Sequence, residues 1–275
     1  MSPEGPGGSA GGRLAGRGAI VTGSSGIAAA AAHLFAAEGA RVVVLGRNAD
    51  ACRALCAAIG AAGGDAGYAL ADLEDAAATE AAVAVAAERL GRIDALFNVA
   101  GGSGRRHGDA RIDAITPEGW ERTLALNLRP HVTASASVVR RMRAQAPDGA
   151  GGRGAIVHMT SILAFAPDAE LFPTHAYAAA KGAIVSLTTA MAAAYVRDGI
   201  RVNAVAPALV TTPMSARARG DAATLAFAAR RQPLTDGFME PDAVAHTALF
   251  LLAPESRAIT GQVLRVDGGW SVTGA

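Results

Sequence analysis

Short apolar bursts alternate with longer amphipathic stretches along the chain. Residues 19–22 (AIVT), 41–45 (RVVVL), 67–70, 93–98 (IDALFN), 155–159 (AIVHM), 200–206 (IRVNAVA) and 262–266 (QVLRV) are short, mostly β-branched runs. Each is predicted as a strand. Between them, helical patterns cover 27–38, 49–59, 76–90, 175–197, 224–231 and 241–252, with one or two further helices within 117–144. Strands that alternate with helices of ten or more residues predict βαβ units, hence an α/β fold with a parallel sheet flanked by helices. Neither an internal repeat nor a linker interrupts the pattern, so residues 14–275 read as one domain. Residues 1–13 are rich in Gly, Pro and Ser and are expected to form a disordered tail.

Composition narrows the function. The chain has 275 residues, 51% of them apolar, which suits a single α/β domain. A net charge of +1 gives no reason to expect nucleic acid or an anionic membrane as partner. The longest nearly uncharged apolar run, 27–37, is too short to span a bilayer and contains His33. The N-terminus lacks the apolar core of a signal peptide, so the expected location is the cytoplasm. Cys52 and Cys56 lie four apart on a predicted helix with no His cluster nearby. They read as small apolar residues in a reducing compartment, and no metal is expected.

Two stretches carry candidate chemistry. The first is Thr-Gly-Ser-Ser-Gly-Ile-Ala at 22–28, a glycine turn between a strand and a helix. Gly23 permits the tight turn, Gly26 lets the backbone approach a phosphate, and the helix start offers free N–H groups. The role of a third glycine, close packing of helix on strand, falls to Ala28 or Ala29. The second stretch is Tyr-Ala-Ala-Ala-Lys at 177–181. Lys181 is the sole lysine among 25 basic residues, and it stands on the same helical face as Tyr177. An ammonium beside a phenol favours phenolate and suits the pair to proton transfer. The bulkier guanidinium is a poorer point charge at close range.

With these elements in order, the chain from about residue 14 to 270 resembles the classical short-chain dehydrogenase/reductases. The resemblance rests on the turn at 22–28, NVAG at 98–101 with Val99 replacing a usual Asn, LNL at 126–128, and IVHMTS at 156–161. It extends through YAAAK, the segment at 199–214, and ITGQVLRVDGGW at 259–270. It implies a Rossmann-type doubly wound parallel sheet of about seven strands with helices on both faces. It also implies that Tyr177 is the general acid or base, with Lys181 lowering its pKa and holding the nicotinamide ribose. Ser161 would bond the substrate oxygen, and Asn127 would anchor a water that joins Lys181 to solvent. The implied cofactor residues are Gly23, Ser24, Ser25, Gly26 and Ile27 in the turn, and Arg47 and Asn48 after the second strand. Asp72 and Leu73 would flank the adenine. Asn98, Ala100 and Gly101 would line the ribose side, and Pro207, Val210 and Thr212 the nicotinamide end.

Several features refine this expectation. The place of an acidic residue that would bind a ribose 2′-hydroxyl is taken by Gly46, with Arg47 beside it, which favours NADP(H) over NAD(H). The turn is one residue shorter than the usual pattern. That leaves two alternatives to a ketone–alcohol oxidoreductase: a non-catalytic binding protein that has lost its nucleotide, or an isomerase or dehydratase that retains it. The segment at 162–175 is longer than usual, and Phe165, Phe172 and His175 are candidates to line a small-molecule pocket; His175 could instead cap its helix. Arg105, Arg106 and His107 follow the fourth strand, as a solvated basic loop or as a contact for an acidic substrate group. His158 reads as a packed strand histidine. The family resemblance implies a homotetramer or homodimer.

Overall fold

The computed structural model describes residues 12–273. Seven parallel strands form one sheet: β1 Gly18–Thr22, β2 Arg41–Gly46, β3 Asp65–Leu70, β4 Ala95–Asn98, β5 Gly154–Met159, β6 Ile200–Pro207 and β7 Val263–Val266. Their order is β3-β2-β1-β4-β5-β6-β7. The chain steps outward from β1 to β3, then returns to place β4 against the free side of β1, pairing Ala19 with Ala95 and Thr22 with Asn98. The order therefore reverses between β1 and β4, and in an open parallel sheet a crevice forms there, beyond the strand C-termini.

Both faces of the sheet are covered, which explains why its central strands are nearly continuous apolar runs. Ala19 and Val21 of β1 pack with α1 (Ile27–Ala37) and α9 (Pro241–Leu252), while Ile20 points to the side of α3 (Ala76–Leu90) and α5 (Arg129–Ala144). α2 (Ala49–Ala61) joins the first layer. The long α6 (His175–Tyr195) joins the second, packed on β6 and on α4 (Pro117–Asn127). Ala28, Ala31 and Ala32 are buried on α1, and their short side chains suit its close run along α9.

The stretch 117–144 resolves into two helices because of Pro130. Proline offers no N–H, and the next one, on His131, turns to the Leu128 carbonyl at 3.1 Å. The Asn127 carbonyl at the end of α4 thus loses its usual helical donor at the edge of the crevice. The segment His175–Asp198, longer than the run singled out from the sequence, has the length and mean hydropathy, 1.3, of a membrane-spanning helix, yet its Lys181 face is buried in the protein. Most of the expected tail, residues 1–11, lies outside the described residues. Of its last two, Arg13 donates its backbone N–H to Glu38 at 2.7 Å and pairs its guanidinium with Glu255.

Candidate active site

A cavity of about 300 Å³ opens at the C-terminal ends of β1, β4, β5 and β6. Gly23, Ser24, Ser25, Gly26, Ile27, Ala100, Gly101, Asn127, Ser161, Phe172, Tyr177, Lys181, Pro207, Val210 and Thr212 all line it. Arg47, Asn48, Asp72, Leu73, Asn98, Phe165 and His175 do not.

The turn forms the first wall. Gly23 (φ +95°) and Gly26 (φ +55°) adopt conformations that other residues rarely reach. A Cβ on Gly26 would lie 2.9 Å from Thr212 Cγ2, so this glycine lets the turn meet the segment after β6. A Cβ on Gly23 would lie 3.3 Å from that of Ala28. The methyl that replaces the third glycine is therefore tolerated because Gly23 has none. α1 begins with no side-chain cap and no acidic residue in its first turn, leaving its N–H groups and partial positive charge toward the cavity. This cradle fits a pyrophosphate.

Four of the predicted nucleotide residues have other partners. Asn48 caps α2, its Oδ1 accepting from Ala51 N at 3.0 Å. Asp72 accepts from Glu74 N at 3.0 Å, and Leu73 is buried under α3 and α5. Asn98 is buried: its Oδ1 accepts from Thr22 Oγ1 at 2.9 Å and its Nδ2 donates to the His131 carbonyl at 3.2 Å. Thr22, which the sequence did not single out, uses the same oxygen to accept from Val99 N (2.8 Å) and Ala100 N (3.0 Å). It thereby locks the ends of β1 and β4 together. Arg47 is exposed and forms no ion pair among the described residues.

The second wall is the start of α6. Its N-cap residue, Thr174, makes no side-chain cap bond. The cap comes instead from Asp109, in the loop after β4, which is 5% exposed. Its Oδ1 accepts from Ala176 N at 3.0 Å and its Oδ2 from Tyr177 N at 3.1 Å. His175 reinforces the junction, Nδ1 accepting from Ile112 N at 3.0 Å, so it ties a loop rather than facing the cavity. Removing a cap of this kind costs about 2 kcal/mol. Asp109→Ala is therefore expected to lower unfolding stability by about that amount, measured by urea denaturation, with Asp109→Asn intermediate. A variant as stable as wild type would show that Asp109 does not hold α6.

Lys181 lies one turn beyond Tyr177, its Nζ 5.6 Å from the phenol ring centroid and donating to the Met159 carbonyl at 2.9 Å. Thr160 fixes the same turn by donating to the Lys181 carbonyl at 2.7 Å. Burial pushes the ammonium down to about 7. Burial also pushes the Tyr177 phenol up, opposed by the neighbouring Ser161 hydroxyl. Lys181 is buried and Tyr177 half-buried, and desolvation favours the neutral form of each, so the lowering of the phenol by Lys181 expected from their spacing is not seen. Asn127 closes the set: its Oδ1 accepts from Gly102 N at 3.0 Å, and its Nδ2 donates to Thr123 O at 3.0 Å. A Cβ on Gly101 would fall 2.8 Å from Asn127 Oδ1 and 3.7 Å from Lys181 Nζ, so glycine there keeps the two together.

The far end of the cavity is apolar. Trp270 and Phe227 meet edge to face at 5.0 Å, Phe172 packs 6.1 Å from each, and Trp270 donates to the Ala166 carbonyl at 3.1 Å. Phe165 turns away and stacks under Arg265, 4.7 Å from its ring centroid.

Known proteins share this arrangement of chain. A family model described as enoyl-(acyl carrier protein) reductase matches residues 21–271. The chain is 37% identical over 256 residues to the short-chain reductase protein NovJ of Streptomyces niveus, covering 91% of this chain and 92% of that protein. It is 36% identical over 266 residues to a D-threitol dehydrogenase of Mycolicibacterium smegmatis, with 94% and 95% covered. A crystal structure from Beutenbergia cavernae with NADP bound at low occupancy superposes with a TM-score of 0.82 at 35% identity, covering 94% of this chain and 98% of that one.

Proposed function

Because the chain belongs to the short-chain dehydrogenase/reductase family, we propose that it interconverts a ketone and a secondary alcohol by hydride transfer with NADP(H). The observation that carries this is one continuous cleft joining the glycine turn to Ser161, Tyr177 and Lys181. When bound, the dinucleotide supplies or accepts the hydride. Gly23, Ser24, Ser25 and Gly26 would hold its pyrophosphate, and Lys181, Pro207, Val210 and Thr212 its nicotinamide end.

The chain's own residues then handle the oxygen. In reduction, Tyr177 gives its proton to the carbonyl oxygen as negative charge gathers there, and Ser161 donates a hydrogen bond to the same atom. The raised phenol keeps that proton on Tyr177 at neutral pH, the state reduction needs. In oxidation the roles reverse, and Tyr177 must first lose its proton; Lys181 in its charged form favours that loss. The presence of Tyr177, Lys181, Ser161 and Asn127 on one cavity argues against a scaffold that has abandoned catalysis. The reductase and dehydrogenase names of the relatives favour redox over isomerase or dehydratase chemistry.

The preference for NADP(H) follows from Gly46 and Arg47. Gly46 offers no carboxylate at the end of β2, and a Cβ there would already press on Cys52 Sγ at 3.1 Å. Arg47, exposed and without an ion-pair partner among the described residues, is free to meet a 2′-phosphate. Calorimetric titration at equal ionic strength is expected to give a Kd for NADPH at least about tenfold below that for NADH, with most of the difference lost in Arg47→Ala. Tighter NADH would overturn the preference and leave the redox reading intact. Binding of neither would overturn the function.

A further inference from the structure

Two arginines line the cleft from different loops, and neither forms an ion pair with a carboxylate among the described residues. Arg105 sits in the loop after β4, in a single turn, Arg105–His107, and Arg217 sits on α7 (Ala216–Arg219), between β6 and α9. Both line the cavity. The half-buried Arg105 guanidinium lies 5.9 Å from the Phe172 ring centroid and donates to the Leu171 carbonyl. The Arg217 guanidinium is exposed and makes no ion pair or hydrogen bond among the described residues. Each arginine has one acid nearby, and each acid is committed elsewhere. Asp109 holds the first turn of α6. Asp221 caps α8 (Ala222–Arg231), accepting from Thr224 N at 3.0 Å. Burial, and after it the Arg217 charge, pull the Arg105 pKa down, offset only in part by Asp109.

Other arginines that lie across from an acid are paired with it. Arg89 pairs with Asp65, Arg122 with Glu74, and Arg140 and Arg141 share Glu80. Within the basic loop only Arg105 turns inward. Arg106 is exposed and bonds its neighbour His107 at 3.2 Å. The same cavity is lined by an apolar wall of Ile162, Leu163, Phe172 and Trp270.

We propose that the substrate carries an anionic oxygen group, a carboxylate or a phosphate ester, held by Arg105 and Arg217 while its ketone or carbinol carbon lies at Tyr177 and Ser161. An apolar or aromatic body would span the wall between the two ends. The proposal rests on the carbonyl–alcohol reading above. It names the arginines as specificity residues, since guanidinium forks match such oxyanions.

The test compares ketones that differ in charge: para-acetylbenzoate with para-acetylbenzamide, levulinate with levulinamide, and hydroxyacetone phosphate with hydroxyacetone. Each is assayed for NADPH-dependent reduction and, separately, for calorimetric binding to protein saturated with NADP⁺. At least one charged member is expected to exceed its neutral partner about tenfold or more in kcat/KM and in affinity. Arg217→Gln and Arg105→Gln should each reduce that preference about tenfold, Arg105→Lys less. Arg230→Gln, which removes an exposed charge outside the cavity, should preserve it. The acetyl and phosphate pairs separate a carboxylate from a phosphate site. Binding that favours the anion through Arg217, with no turnover, would support the anion site and overturn the redox reading. Neutral ketones turned over as well as charged ones would do the opposite. No binding by any charged member, or an Arg217→Gln variant that weakens only NADPH, would overturn the proposal.

Discussion

Tyr177→Phe is expected to slow carbonyl reduction by about a thousandfold while weakening nucleotide binding by less than about tenfold. The substitution deletes one oxygen and keeps the ring that Lys181 faces at 5.6 Å. The backbone of residue 177 stays tied to Asp109, so α6 should hold its place. What disappears is the proton that the substrate oxygen must receive in the transition state. The loss should therefore fall equally on kcat and kcat/KM, the pattern of a contact made only in the transition state. Ser161→Ala should cost less, on the order of a hundredfold, because it removes one donor to developing charge and no proton. Steady-state rates with a reducible ketone, beside calorimetric NADPH titration of the same variants, separate these effects. A Tyr177→Phe enzyme with wild-type turnover would mean that the proton comes from elsewhere and that the proposed mechanism is wrong.

The site was legible wherever a local run determined it. Strands buried on both faces announce themselves as apolar runs, which is why the sheet and most helix limits could be read directly. Tyr177 and Lys181 share a helix, and Gly23 and Gly26 share a turn, so spacing alone placed each pair together. Residues defined by long-range contacts were not legible in this way. Asp109 caps a helix that starts 66 positions later, because the sheet order brings the loop after β4 against α6. Arg217 meets Arg105 only once the segment after β6 folds over the cleft. Phe165 and His175 fall in the right loop, but a neighbouring Arg265 ring contact and an Ile112 N–H turn them away. No pattern within a loop shows which of its side chains will face inward. The stretch 117–144 read as one or two helices, and the effect of Pro130, a freed Asn127 carbonyl, depends on the one N–H that shifts register.

The protein is expected to lose stability steeply on mild acidification, beginning near pH 6, because of two histidines behind the site. His131 on α5 and His158 on β5 are fully buried, with Nδ1 to Nδ1 at 3.2 Å. Neither Nε2 has a hydrogen-bond partner among the described residues. Burial pushes His158 down to about 3, helped by the Lys181 charge. It pushes His131 well down too, with Lys181 and His158 adding to it. Both rings therefore stay neutral in the fold at pH values where an unfolded histidine, with a pKa of about 6.5, has taken up a proton. Below that value the unfolded chain binds more protons than the folded one, so stability falls as pH falls, by about 1.4 kcal/mol per pH unit for each ring. Together the pair would remove about 5 kcal/mol over two pH units, comparable with the whole stability of many domains. Other groups do not mimic this. Lys181, lowered to about 7, is nearly fully protonated in both states by about pH 6 and adds little slope below that. Glu80, lowered to about 2 by Arg141, Ser137 and Arg140, contributes stability that fades only below the usual carboxylate range. Urea midpoints at pH 7, 6 and 5 should thus drop progressively in wild type. Asn at both positions should flatten that slope, even though either single replacement lowers stability at pH 7 by orphaning the other ring. A wild-type midpoint that stays level from pH 7 to pH 5 would mean that the pair takes up its protons without unfolding the chain, and that burial does not hold these rings neutral.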